Sequence, residues 1–219
     1  MIAAITELYA SKEPRYFNWV RSEIEPLLPA FSPRVLEVGC GTGRTLAALK
    51  QGGRAAWTCG IELVANAAHE AAPRVDQIVV GDIEAIEIPI APCSLDLILL
   101  LDVLEHLVDP WAVMTRLVSL LRPGGHVIAS IPNVRHYSVL VPLVLRGRWS
   151  YAPSGLLDRT HLRFFTKETA VALVETGGLT VDQVRTVGVS RPIAALDRLA
   201  FGALRPFFEL QYVIRARLA

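Results

Sequence analysis

Residues 35–43 read Val-Leu-Glu-Val-Gly-Cys-Gly-Thr-Gly, an apolar run carrying one acid, Glu37, that opens into three glycines at alternate positions, Gly39, Gly41 and Gly43. Glycine lacks Cβ, so such a turn admits positive φ and lets a ligand approach the backbone closely. A dinucleotide turn spaces its glycines as G-x-G-x-x-G and sets a helix N-terminus against a pyrophosphate. Here the position of its third glycine is taken by Arg44. Glu37 would repel a pyrophosphate and attract a ligand bearing an ammonium group. The segment is therefore read as a site for a cationic amino-acid moiety.

Three further acids stand at the ends of apolar runs: Glu62 after 55–61, Asp82 in Gly81-Asp82-Ile83, and Asp102 after 96–101. A carboxylate at Glu62 can accept from both hydroxyls of a ribose, a role shared with dinucleotide enzymes. Asp82 is placed to accept from an adenine amino group while Ile83 covers a ring face. One acid at a strand end is as readily a solvated group or the cap of the next helix. Four acids at four successive strand ends, beside the glycine turn, point to a ligand. Cys40 lies inside the turn; its small side chain suits a tight bend, and a reactive thiol is the alternative.

These residues need a scaffold that brings strand ends together. Apolar runs of strand length (34–38, 55–61, 75–80, 96–101, 126–131) alternate with helical stretches (45–50, 64–71, 111–121), the pattern of a doubly wound α/β sheet. The continuous run at 96–101 suits a central strand buried on both faces. Arg122-Pro123-Gly124-Gly125 reads as a turn. From 132 to 165 the pattern loosens, and this stretch is expected to be a lid or acceptor-binding insertion. Thr166-Lys167-Glu168-Thr169 opens a helix with a capping-box-like start that Gly177-Gly178 closes. Residues 179–187 and 208–217 alternate as the last two strands, with a helix expected over 191–206. Residues 1–32 are read as a helical cap over the sheet's carboxyl edge. The organisation expected is one domain: cap 1–32, binding core 33–131, lid 132–165, and C-terminal helices and strands 166–219.

Val35 to Gly43, Gly60-Ile61-Glu62, Gly81-Asp82-Ile83, Asp96 to Leu107 and Leu121 to Gly125 resemble, in order and spacing, the class I S-adenosylmethionine (SAM)-dependent methyltransferases. The resemblance covers roughly residues 34–131 and implies a Rossmann-like, seven-stranded, mostly parallel sheet, helices on both faces, and a last strand antiparallel to its neighbours. It implies SAM as cofactor, and the candidate contacts are Glu37, Gly39, Cys40, Gly41, Gly43, Glu62, Leu63, Asp82, Ile83 and Asp102. Residues 130–136 and 155–166 are similar, more loosely, to a bacterial subgroup that accompanies glycosyltransferases of cell-surface polysaccharide assembly, and to quinone O-methyltransferases. That similarity implies a small-molecule acceptor, with the hydroxyl of a saccharide or similar metabolite as the first expectation. A quinone precursor or nitrogen acceptor, and a non-catalytic SAM- or NAD-binding protein, are the alternatives.

Methyl transfer needs alignment of acceptor and methyl carbon, then removal of the acceptor's proton. His161 sits in the lid among Arg159, Thr160 and Arg163 and is the candidate base, against a role in lid packing. Arg159 and Arg163, with Tyr151, are candidate acceptor contacts; the arginines pairing with Asp158 or Glu168 is the alternative. His106 is the second catalytic candidate, read as lining the SAM pocket with Asp102. On a helical turn Asp102, Glu105 and His106 share a face, and ubiquinone O-methyltransferases resemble this with a Glu-x-x-Glu-His metal site. The first position here is Asp, so no metal is expected.

The remaining features exclude function classes. A 219-residue chain with net charge +1 and 52% hydrophobic residues carries no footprint for nucleic acid and no mark of disorder. Cys40, Cys59 and Cys93 fit no zinc or disulfide spacing. The first residues lack a basic, then apolar, signal pattern, so a cytoplasmic enzyme is expected. Val139 to Leu145 and Leu196 to Phe208 are apolar with arginines at their flanks. They suit packing in the core or in a homodimer better than membrane-surface association with a lipid-linked acceptor.

Overall fold

The structure, a computed structural model, describes residues 17–188, Asp197, Gly202 and 204–219. Its strands are β1 (Arg34–Val38), β2 (Trp57–Glu62), β3 (Gln77–Val80), β4 (Leu95–Leu101), β5 (Leu121–Pro132), β6 (Leu179–Val187) and β7 (Gln211–Leu218). They form one sheet in the order β3-β2-β1-β4-β5-β7-β6. β1 to β5 run parallel, and β7 is antiparallel to both β5 and β6. The helices are α1 (Arg44–Gln51), α2 (Ala65–Ala71), α3 (Pro110–Val118), α4 (Tyr137–Arg146) and α5 (Lys167–Val174).

All seven residues of β4 are buried, as its apolar run requires of a strand covered on both faces. Side chains alternate across a strand, so Leu97, Leu99 and Leu101 join one core layer while Ile98 and Leu100 join the other. The first layer packs under Leu46 and Leu49 of α1 and under Ile24 and Leu27. The second is closed by Val113, Met114 and Leu117 of α3 and by Ala170 and Leu173 of α5. Burying each such aliphatic side chain is worth ~1.5–3 kcal/mol. The polar member of β4, Asp96, accepts from the Arg34 N–H at 2.8 Å and pairs with the Arg122 guanidinium, pinning β1 and β5 at their starts.

The expected topology and most element positions hold, with three differences. Residues 122–125 extend β5 rather than forming a separate turn, because Leu121 already pairs with Leu95 across a register shift. In the described part of the cap, Ser22–Leu27 forms a 3-10 helix rather than an α-helix; Pro26 lies inside it and cannot donate to an α-helical ladder. The stretch expected to be loose holds α4, with Pro142 inside it. Of the helix expected over 191–206, Asp197, Gly202 and 204–206 are described, with Arg205–Phe207 forming a 3-10 turn; the remainder, and residues 1–16, lie outside the described residues. The capping box at Thr166 and Thr169 is present.

The glycine turn is fitted to β2 by close packing. A Cβ on Gly60 would lie 2.4 Å from the Cys40 sulfur. Gly60→Ala should lower unfolding free energy by about 1–3 kcal/mol, the usual cost of overpacking. Cys40→Ala should recover most of that loss in the double variant, measured by urea denaturation.

Candidate functional site

Strand order reverses between β1 and β4, where the two carboxyl ends part and leave a crevice. A cavity of about 610 Å³ opens there, walled by residues that follow β1, β2, β3 and β4. Glu37, Gly39, Cys40, Gly41, Glu62, Leu63, Asp82, Ile83, Asp102 and His106 all line it. Gly43 does not: its φ of 73° starts α1, and a Cβ there would lie 3.1 Å from that of Ala71. Its role is to let α1 and α2 approach. Gly39 and Gly41 also take positive φ, and the Gly39 and Cys40 N–H groups donate to the Ile61 carbonyl.

Two carboxylates dominate one end of the cavity. Glu62 accepts from the Gly41 and Val64 N–H groups, each at 2.8 Å, so it organises the glycine turn. Glu37 is 3% exposed, and its Oε2 has no hydrogen-bond partner. Burial pushes its pKa up to about 8, with the nearby Glu62 adding and the Arg21 charge and Thr45 hydroxyl opposing. A buried acid with an oxygen left unpartnered is costly. An ammonium at this wall would relieve it, whereas the Gly39, Cys40 and Gly41 N–H groups that a pyrophosphate would need are spent on the Ile61 carbonyl and Glu62. The residues present therefore fit SAM. The Cys40 thiol is pushed far up by burial, which rules out a reactive thiolate and leaves it the packing role.

At the wall formed after β3, Asp82 accepts from the Glu84 N–H at 2.9 Å. Glu84 in turn accepts from the Val108 and Asp109 N–H groups, tying the loop after β3 to the loop after β4. Asp102 holds a left-handed φ of 58° and pairs with Arg21 at 2.9 Å. It also accepts from Ser130 and from the Gln211 amide. Arg21, Glu84, Ser130 and Gln211 were not foreseen from the sequence. Only Glu84, two positions after Asp82, carried a local signal.

The two histidines separate in role. The His106 Nδ1 lies 3.0 Å from the Thr160 carbonyl, and the His161 Nδ1 lies 3.1 Å from the Leu156 carbonyl. A carbonyl only accepts, so each Nδ1 carries the proton and Nε2 is the basic nitrogen of the neutral ring. His161 is 7% exposed and stands behind His106 rather than in the cavity wall, with ring centres 4.7 Å apart. Arg159 and Tyr151 are also outside that wall. Arg163 is at the rim, where it donates to the Val108 carbonyl and lies over Trp111.

Asp102 is not gathered with Glu105 and His106, because Arg21, Ser130 and Gln211 hold it. Instead Glu105, His106 and His161 bring their donor atoms within 4.8 Å of one another. The Glu105 oxygens have no hydrogen-bond partner, and burial, then the charge of Asp102, raises its pKa well above the ordinary range. Two imidazoles and a carboxylate are a chemically suitable set for a divalent cation.

A sequence profile described as a methyltransferase domain matches residues 9–184. A ubiquinone biosynthesis O-methyltransferase of Paracidovorax citrulli is 31% identical over 171 residues, 71% of this chain and 70% of the relative. Among solved structures, a SAM-dependent methyltransferase from Archaeoglobus fulgidus superposes with a TM-score of 0.66 at 19% identity, covering 90% of this chain and 91% of that one. A phosphoethanolamine N-methyltransferase of Haemonchus contortus in complex with SAM gives a TM-score of 0.59 at 15% identity, covering 93% of this chain and 52% of that one.

Glu37 must lose its proton to meet an ammonium. SAM affinity should therefore rise with pH, by up to about tenfold per unit, toward about pH 8 and turn down above it as the ligand's own ammonium loses its proton, as titration calorimetry would measure. Without ligand the sign is opposite: a folded pKa above the ordinary 4.5 gives stability at low pH that fades as pH rises toward about 8. Glu37→Gln should remove both the rise and the fade.

Proposed function

Since the chain belongs to the class I SAM-dependent methyltransferases, we propose that it methylates a hydroxyl oxygen of a small ring-bearing acceptor, with His106 as the base. The fold and family make it a SAM-dependent enzyme. SAM supplies the electrophilic methyl carbon at a sulfonium, a leaving group that needs no protonation. We assign the ammonium contact to Glu37, the ribose to Glu62, the adenine to Asp82 and Ile83, and close backbone approach to Gly39, Gly41 and Leu63. Cys40 packs the turn beneath them.

One observation carries the base assignment. Among the described residues His106 is the one imidazole in the cavity wall, and Thr160 fixes its proton on Nδ1. Its Nε2 is then the nitrogen that takes the hydroxyl proton. His161, the candidate from sequence, becomes a positioning residue: its ring edge packs against His106 and Leu156 fixes its tautomer. Alignment contributes ~7–11 kcal/mol to such a transfer and a positioned base roughly 3–5 kcal/mol, so the shape of the cavity matters more than the base.

For the acceptor, a phenolic ring is favoured over a saccharide. His161, Phe164, Trp149 and Tyr151 form a chain of edge-packed rings leading outward from His106. The relative from Paracidovorax citrulli is named for ubiquinone biosynthesis. Arg163 at the rim suits an acidic substituent on that ring. A second reading of the histidines rests on the orphaned Glu105 oxygens: Glu105, His106 and His161 would hold a divalent cation that orients the hydroxyl.

Mass-spectrometric screening of phenols and sugars with SAM should return methyl ethers of phenols; transfer to sugars alone would overturn the acceptor assignment. With that acceptor, His106→Gln should cut kcat by about 10²–10⁴ and His161→Gln by roughly tenfold, SAM affinity holding in both. Activity abolished by chelation and restored by a divalent cation, with metal measured in the purified protein, would replace the base reading with the cation reading.

A further inference from the structure

Helix α4 leaves the sheet just past the carboxyl end of β5, on the edge that carries the cavity. Val139 is its one buried residue. Val144 and Leu145 are 76% and 75% exposed, and Val141 and Tyr137 about half exposed at 49% and 48%. Spaced at i, i+4, i+7 and i+8, Tyr137, Val141, Val144 and Leu145 share one helix face. For α4 this overturns packing in the core, one of the two expectations for its apolar residues, the other being a homodimer.

Charge says what covers that face. Between Asp109 and Asp158 the sequence contains no Asp, Glu or Lys, while Arg135, Arg146 and Arg148 flank α4 on its two ends. Trp149 and Tyr151 follow directly, and Tyr151 is half exposed. An apolar helix face edged by arginines, with Trp and Tyr at its end, is the composition that settles at a lipid–water interface. Anionic headgroups complement arginines that no neighbouring acid in the segment can pair. A second copy docked face to face would instead set one arginine-edged face against another, with no acid of this segment between them.

We propose that α4 and the Arg146–Tyr151 segment dock this protein on an anionic lipid surface. Val141, Val144 and Leu145 enter the headgroup boundary, and Arg146 and Arg148 take the phosphates. No described helix is long and apolar enough to cross a bilayer, so the contact is one of lying on the surface. Docking through α4 brings the cavity edge of the sheet close to the bilayer, where an amphiphilic acceptor concentrates. The surface contact does not depend on the acceptor reading, and its test needs no turnover.

The full chain is sedimented with sucrose-loaded vesicles of phosphatidylcholine, with and without phosphatidylglycerol. Binding is expected with phosphatidylglycerol, weaker without it, and falling as salt rises. Val144→Ser with Leu145→Ser, and separately Arg146→Glu with Arg148→Glu, should each lower partitioning by about tenfold or more. All these positions are exposed, and unchanged SAM binding verifies the fold of each variant. Three results would overturn the proposal. The first is no sedimentation with phosphatidylglycerol vesicles, and the second is partitioning unchanged in both variants. The third is a dimer, seen by light scattering, that the Val144→Ser, Leu145→Ser variant dissociates while vesicle binding is absent.

Discussion

A carboxylate kept out of water at the end of β1 constrains everything around it. Glu37 is buried, raised in pKa and lacks a hydrogen-bond donor for one oxygen, so the ligand-free fold carries an unfavourable group at its centre. The rest of the site holds that arrangement in place. Glu62, which could have competed for a cation, is turned onto the Gly41 and Val64 N–H groups. Gly39 leaves room for Val103, whose Cγ2 would lie 2.9 Å from a Cβ there. At the wall between β1 and β4 this leaves Glu37 as the buried acid with an unpaired oxygen, the group to which the proposed ammonium contact is assigned.

Asp102 does the corresponding work at the opposite wall. Its left-handed backbone is uncommon for a residue with a side chain and costs roughly 1–2 kcal/mol. Three partners offset this: Arg21 from the segment before β1, Ser130 at the end of β5 and Gln211 at the start of β7. One carboxylate therefore joins four parts of the chain at the sheet's functional edge. Arg21 also donates to the Ser130 hydroxyl at 3.0 Å, so the covering segment is latched to the same point. A carboxylate with three such partners is occupied structurally, which explains why it does not join Glu105 and His106.

Much of this was legible in the sequence because the signals are local. The spacing of Gly39, Gly41 and Gly43 set the turn, the run 96–101 located the central strand, and acids at strand ends located the cavity. Thr166 and Thr169 announced α5 through side chains that reach only their own helix start. What stayed hidden depends on partners remote in the chain. Arg21 and Ser130 are 109 residues apart, and no spacing rule relates them. His161 looked like a base because polar neighbours surround it in sequence, yet in space those neighbours fold it behind His106.

By itself the sequence determined the α/β class, the positions of the strands around the glycine turn and the cofactor type. Each follows from periodicity and from residue types within a few positions of one another. Tertiary structure alone decided that His161 stands behind His106, that Asp102 is tied up by partners remote in the chain, and which apolar helix remains uncovered. The physical reason is that burial and pairing are properties of the packed chain. Val139 and Val144 are the same residue type on the same helix, and only the position of the sheet makes one core and the other surface.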